Sequence, residues 1–366
     1  YFDLVAPEDL VGTEVRDLEG LIKSHVALGQ SRTPGKSKVQ ALSPNLDSSG
    51  WESLHSVVQI VTDDMPFLVD SVSAEISQQG RSIRVVIHPR FWVKRDQLGE
   101  LVEILDRDVL PGEQTPDGAI QESWISVEID RESDASDLAT IESRIQRVLA
   151  DVRATVEDWP AMQAKLTSVI SEIETAAGVS DRERREAIEF LNWLTENHFT
   201  FVGYADYDLT KNVLSRVGGS ELGTLRNPDD GNPISKNEQD HSSISSLMVV
   251  TKARMRSTVH RPVFLDYVGI RRVDASGNQI GEHRFLGLFS SSAYNQSVTN
   301  IPVLSSKVAD VTSSMALGRD SHSGKDLMQF LETYPRDEMF QISPDELEDV
   351  ARRVLQLQER RQVRVF

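Results

Sequence analysis

The stretch Leu54–Gly80, LHSVVQIVTDDMPFLVDSVSAEISQQG, decides the fold. Val57, Val58, Ile60 and Val61 form a short apolar run rich in β-branched residues, which reads as a buried strand. Asp63 and Asp64 end it in an acidic turn. A helix is then expected to open at Pro66 and close at Gly80, because proline near the first helical position forfeits no hydrogen bond and a preceding aspartate can accept from the free amides. Leu68, Val69, Val72 and Ile76 share one face of that helix. A strand running straight into a helix N-terminus offers exposed amides and the positive end of the helix dipole, which favour an anion such as an amino-acid carboxylate. Asp63, Asp64, Met65, Pro66, Phe67 and Leu68 are therefore the candidate effector-binding loop.

Outward from this stretch, Ile83 to Lys94 (IRVVIHPRFWVK) reads as a second strand that Pro89 interrupts or places at an edge. A polar turn near Asp96 to Glu100 follows, then a loop from Asp106 to Glu122 that holds Pro111, Gly112, Pro116 and Gly118. Trp124 to Asp130 alternates, with Ile125, Val127 and Ile129 facing one way and Ser126, Glu128 and Asp130 the other, the pattern of a half-buried strand. From Ser136 an amphipathic helix carries Leu138, Ile141, Ile145, Val148, Leu149, Val152 and Val156. Ala161 to Ala177 is helical again. The order strand, helix, strand, strand, helix is ferredoxin-like but short of its last strand, so that edge is missing or is supplied by another part of the chain or another subunit. Upstream, Tyr1 to Leu28 has helical spacing despite Gly12 and Gly20, and Gly29 to Gly50, rich in Ser, Pro and Gly, reads as an exposed linker or irregular loop.

Gly178 to Arg182 is polar and marks a boundary. The helix ERREAIEFLNWLTENH carries Ile188, Leu191 and Leu194 on one stripe and runs into FTFVGYADYDL. There Phe199, Phe201, Gly203, Ala205 and Tyr207 alternate with Thr200, Val202, Tyr204, Asp206 and Asp208, a strand with aromatics on both faces. Asn227 to His241 reads as a loop. Leu247 to Ala253 reads as a strand, and Val263 to Val273 pairs with Gln279 to Ser290 across the turn DASGN. Short helices, a long loop and a terminal antiparallel meander point to a PAS-like fold. Ile301 to Met315 and Lys325 to Thr333 are helical. Ser343-Pro344-Asp345-Glu346 forms a capping box ahead of a helix with Leu347, Val350, Ala351, Val354 and Leu355 on its stripe. The closing QVRVF reads as the start of another strand.

At 366 residues the chain has room for two or three domains. A net charge of −18 and a pI near 4.9 argue against duplex nucleic acid or an anionic membrane as the main partner. The chain has no cysteine, so disulfides, a thiolate nucleophile and Cys-ligated metal are excluded, in keeping with a cytoplasmic protein. No apolar run approaches the ~20 residues that span a bilayer. The start, YFDLVAPEDL, lacks a signal-peptide pattern and an initiator Met, so upstream residues are expected. No G-x-G-x-x-G lies between a strand and a helix; Gly218, Gly219 and Gly223 have the wrong spacing. There is no Walker A sequence, and no two histidines lie within four residues of each other. The sequence holds no recognisable catalytic or metal site.

VTDDMPFLVDSV, His88-Pro89, Arg95-Asp96 and Gly99-Glu100-Leu101 resemble the amino-terminal region of the large bacterial NAD-dependent glutamate dehydrogenases. The likeness continues through Phe190-Leu191, Trp193-Leu194, His198-Phe199-Thr200-Phe201 and Gly203-Tyr204. It goes on with STVHRPVFLDYVGI (257–270), RFLGLFSSSAYN (284–295), IPVLSSKV (301–308) and ETYPRDEMFQISPDEL (332–347). The resemblance implies an α+β chain with an ACT-like (ferredoxin-like) domain, a PAS-like antiparallel-sheet domain and helical connecting segments. Its expected divisions are an N-terminal helix and linker (1–50), an ACT-like domain (51–160), a helical linker (161–197), a PAS-like domain (198–298) and a helical motif leading into a further domain (299–366).

In that family this region precedes the catalytic domain and is regarded as regulatory and oligomer-forming. The full-length reaction it implies is L-glutamate, NAD and water to 2-oxoglutarate, ammonium and NADH. This chain is expected to hold no cofactor, NAD belonging to the catalytic domain. Expected partners are that domain, other subunits of a homo-oligomer and an amino-acid effector, with no nucleic acid and no membrane.

Each singled-out residue has two readings. Asp63 and Asp64 either cap the helix and turn or bind an effector's amino group. Against the ACT pattern Asp-x-Pro-Gly the chain has Asp64-Met65-Pro66-Phe67, so Phe67 stands where glycine would let a ligand approach the backbone. Arg254, Arg256 and Arg261, with Lys252, Arg271 and Arg272, form either a solvated or salt-bridging face or an anion site. His260 beside them, and His88, read as structural hydrogen-bonders. Phe199, Phe201, Tyr204 and Tyr207 read as core. The function follows as a regulatory segment, or alternatively as an oligomerisation scaffold that binds no small molecule, since an unpaired sheet edge and Phe67 both favour docking over ligand entry.

Overall fold

A computed structural model describes residues 1–2, 5–105, 115–226, 246–318 and 321–360. The chain is α+β, as expected, and divides into two compact units: Tyr1–Val156 together with Thr258–Pro262, and Glu157–Ser257 together with Val263–Phe366. The QVRVF strand, the loop at Asn227–His241 and most of the glycine- and proline-bearing loop before residue 115 lie outside the described residues.

The first unit contains α1 (Pro7–Leu10), α2 (Val15–Gly29), β1 (Lys38–Leu42), α3 (Leu46–Ser49), β2 (Ser56–Asp63), α4 (Leu68–Gln78), β3 (Ile83–Ile87), β4 (Arg90–Arg95), β5 (Leu101–Ile104), β6 (Ile120–Ile129) and the first part of α5 (Ala135–Thr175). Its antiparallel sheet has the order β1-β2-β6-β4-β5, with β3 also on β6. Pro89 therefore separates two strands that share one partner, rather than interrupting a single one. The expected linker is corrected: Lys38–Leu42 pairs with β2, Val39 opposite Ile60 and Ala41 opposite Val58. This N-terminal strand fills the edge that the ferredoxin-like order left open. The half-buried reading of β6 is corrected in part: Ser126 and Glu122 are as fully enclosed as Ile125 and Val127, so both faces are covered there, while Glu128 and Asp130 keep partial exposure. On the second face, α2 takes up the polar groups: Gln59 donates to Leu21 O, Ser24 donates to Gln59, and the His25 ring lies 5.1 Å from Trp124.

The helix after β2 begins at Leu68 rather than Pro66. Phe67 has φ 71°, a left-handed conformation that cannot continue a helix, so Pro66 lies outside it and no side chain caps its N-terminus. The two helical patterns from Ser136 and Ala161 merge into the single α5, with Pro160 inside. Around Pro160, Val152 and Met162 are wholly buried, and this packing outweighs the hydrogen bond that proline removes.

The second unit contains the rest of α5, α6 (Asp181–Trp193), β7 (Phe199–Thr210), β8 (Val213–Arg216), β9 (Leu222–Gly223), β10 (Met248–Arg256), β11 (Phe264–Val273), β12 (Gln279–Phe289), α7 (Ser291–Asn295), α8 (Leu304–Met315), α9 (His322–Thr333), α10 (Arg336–Gln341) and α11 (Pro344–Arg360). Its sheet runs β10-β11-β12-β7-β8, with β9 also on β7. The DASGN turn is a hairpin in which Asp274 accepts the amides of Ser276 and Asn278. One departure from strict alternation reshapes the core. Gly203 pairs with Leu286 and Phe201 with the adjacent Gly287, so Val202 is an extra residue, a β-bulge. The bulge returns Tyr204 to the face of Phe199 and Phe201, where all three join Phe190, Trp193, Phe285, Phe289 and Phe340 in one core. Tyr207 is buried as well, its ring beneath the Arg284 guanidinium at 3.7 Å.

The helical segment also holds by named contacts. Ser343 and Glu346 form the expected capping box, each side chain accepting the other's amide. Lys307 of α8 donates to the carbonyls of Met339, Phe340 and Ile342, the C-terminal end of α10. Among the described residues no helix is long and apolar enough to cross a membrane.

Candidate functional site

The loop between β2 and α4 sits beside a buried ionic network. Asp63, the last residue of β2, accepts from Arg32 Nη2 and pairs with Arg153 Nη2, both at 2.6 Å. Glu122, opposite Asp63 on β6, accepts from Arg32 at 2.9 and 2.6 Å, from Arg95 at 2.7 and 2.9 Å, and from the Trp124 indole at 3.0 Å. Burial alone would raise both carboxyls, but the guanidiniums hold each below its ordinary range. Asp63 is thus part of the scaffold that fixes the loop's first residue.

Asp64 points elsewhere. Its carboxylate accepts from Ser123 Oγ at 2.6 Å and lies 3.7 Å from Arg90, while its amide donates to Gln121 O. His88 shares Ser123 Oγ at 2.9 Å, a structural contact, and burial lowers its pKa. Met65 is half-buried, Pro66 exposed and Leu68 buried. Phe67 takes the left-handed conformation in spite of its Cβ, at a cost of roughly 1 kcal/mol relative to glycine.

The structure brings His260 to this loop. Its imidazole lies 5.3 Å from the Phe67 ring, its Nδ1 is 3.0 Å from Asp70 Oδ2, and its amide donates to Ser71 Oγ at 2.9 Å. Ser71 Oγ in turn donates to Phe67 O at 2.6 Å. Sequence reading missed Asp70 and Ser71 as partners, and no local signal joins them to a histidine 190 positions away. The expected basic group is divided. His260 and Arg261 belong to the first unit, whereas Arg254 and Arg256 are exposed on β10 in the second, Arg256 over the Phe264 ring at 4.6 Å. Lys252 pairs with Asp266 and Asp337, and Arg272 with Asp208, which is the salt-bridging reading for those two.

The second unit has its own polar cluster, which the sequence did not announce. His283 Nδ1 lies 2.6 Å from Asp206 and 2.9 Å from the Tyr204 hydroxyl, and its Nε2 lies 3.0 Å from Glu172. The cluster borders a cleft of about 290 Å³ whose lining includes Ile173, Arg271 and Asp274. Among the described residues no group of three or more His, Cys, Asp or Glu side chains could hold a metal ion.

Two family models match. "Glutamate dehydrogenase, ACT1 domain" covers residues 1–145 and "Glutamate dehydrogenase, helical motif 1" covers residues 301–360. The chain thus resembles the ACT1 domain and the first helical motif of glutamate dehydrogenases over these two stretches. Curated relatives narrow the class: NAD-specific glutamate dehydrogenases of Halomonas elongata and Pseudomonas aeruginosa are each 36% identical to it over its whole length, and that of Mycobacterium tuberculosis is 30% identical over 94% of it. The chain belongs to the family of NAD-specific glutamate dehydrogenases. It spans 23%, 23% and 20% of the lengths of those three relatives.

Proposed function

We propose that this chain is the regulatory portion of an NAD-dependent glutamate dehydrogenase, carrying no catalysis itself and sensing an amino acid at the loop from Asp63 to Leu68. The observation that supports the reading is the match of residues 1–145 to the glutamate dehydrogenase ACT1 domain, together with a loop anchored at Asp63 by Arg32 and Arg153 and leading into the N-terminus of α4. The meander β10-β11-β12 joined to β7 supports a PAS-like assignment for the second unit. The activity of the whole protein would be oxidative deamination of L-glutamate with NAD bound in its catalytic domain, in the cytoplasm and in a homo-oligomer. Incubating this chain alone with L-glutamate and NAD should form no NADH; turnover would contradict the proposal.

A second reading, a structural oligomerisation scaffold, is favoured by the edge strand β5, where Val102 is 66% exposed beside Leu98 at 82%. Sedimentation decides it in part. Self-association lost on Val102→Lys would favour the scaffold, and a strict monomer would count against it.

A further inference from the structure

We propose that the loop Thr258–Pro262 is an internal latch on the N-terminus of α4, and that release of His260 opens the loop from Asp63 to Leu68. This proposal rests on the effector reading only for its purpose, not for its mechanism.

The observations are local to the first unit. His260 meets the first turn of α4 at three points: the amide on Ser71, the imidazole Nδ1 near Asp70, and the ring face toward Phe67. Either side of it the loop is anchored. Thr258 Oγ1 donates to Asp151 of α5 at 2.8 Å, and Val259 is wholly buried. The loop thus holds α4 and α5 together. His260 also has φ 67°, in the left-handed region, which glycine adopts as readily. Phe67, facing it, has the same left-handed geometry. The contacts made by His260 itself are two polar contacts and one aromatic contact, half-exposed rather than deep, and the latch opens where these are given up.

The consequence for a ligand follows from the groups engaged. Ser71 Oγ, the Asp70 carboxylate and the Phe67 ring are the polar and aromatic groups at the mouth of α4, and the latch uses all three. A ligand that needs them binds only the open form, so its apparent affinity is reduced by the open fraction. The chain's own loop therefore sets the threshold for occupancy.

The chain lacks cysteine, so Val259→Cys creates a unique thiol at a buried position of the latch. Its rate of reaction with a thiol reagent reports how often the loop opens. His260→Gly, added to this background, removes the imidazole while keeping a residue at ease with positive φ. Labelling is expected to accelerate about tenfold or more. Asp70→Asn, which leaves the loop backbone untouched, should accelerate it in the same direction by a smaller factor. Circular dichroism and thermal melting report that each variant is folded. Unchanged labelling, within about twofold, in both folded variants would overturn the latch. A separate arm adds L-aspartate or L-glutamate to Val259→Cys. Acceleration supports the latch as the gate of an amino-acid site. No response alongside a fast His260→Gly supports the latch and removes the effector reading, so the two failures are distinct.

Discussion

Replacing Glu122 by glutamine tests how the candidate loop is held. The carboxylate lies wholly inside the first unit between two guanidiniums that are themselves enclosed, Arg32 at 0% and Arg95 at 3% side-chain exposure. Glutamine keeps the shape and one acceptor oxygen, but presents an NH₂ group where Arg N–H groups already point. Arg95 then loses its carboxylate, and Arg32 keeps the Lys36 carbonyl and Asp63, the latter a carboxylate that Arg153 also claims. Breaking a buried pair in this way leaves an uncompensated charge and costs about 3–5 kcal/mol. Equilibrium urea unfolding should show the midpoint of the first unit falling by roughly 1–2 M, with the transition of the second unit unmoved. Glu128→Gln is the control. That carboxyl, on the same strand, is pushed up by burial, so neutralising it should leave stability unchanged or raise it. A loss below about 1 kcal/mol for Glu122→Gln, or an equal loss for both variants, would refute the claim that the network fixes the loop.

Two further outcomes follow from single side chains. His25 is fully enclosed against Ile60 O and the Tyr1 hydroxyl, and burial lowers its pKa to about 4. The unfolded chain takes up this proton first, so the contribution is complete above pH ~6.5 and is lost as pH falls toward 4. It amounts to roughly 3 kcal/mol, measured as the difference in acid unfolding between the chain and His25→Gln; parallel pH curves would count against it. Lys307→Met strips three carbonyls of their charged donor and should lower the melting temperature of the second unit by about 5–10 °C, with the loss seen as faster hydrogen exchange in α10; a shift under about 1 °C would contradict that role.

Much of this architecture was legible because its elements state their periodicity. β2, α4, the DASGN hairpin and the Ser343 capping box each have an unbroken local pattern. What escaped were features decided by partners far along the chain. Lys38–Leu42 is five residues among Ser, Pro and Gly, and only its pairing with β2 makes it a strand. Tyr204 changes face because of a bulge whose cause lies in the register with β12. The start of α4 was misplaced because Phe67, unlike glycine, gives no hint of positive φ. At the candidate site the acidic loop was visible, but its anchors were not: Arg32 and Arg153 come from a turn and a distant helix, and His260 from a loop between two strands of the other sheet.

The central claim is that the loop after β2 receives an amino acid, and calorimetric titration of the chain with L-aspartate, L-asparagine and L-glutamate tests it most directly. Saturable binding of one of them, abolished by Asp64→Ala with the circular dichroism spectrum unchanged, is the predicted result. No heat with any of the three, from a folded chain, would contradict it.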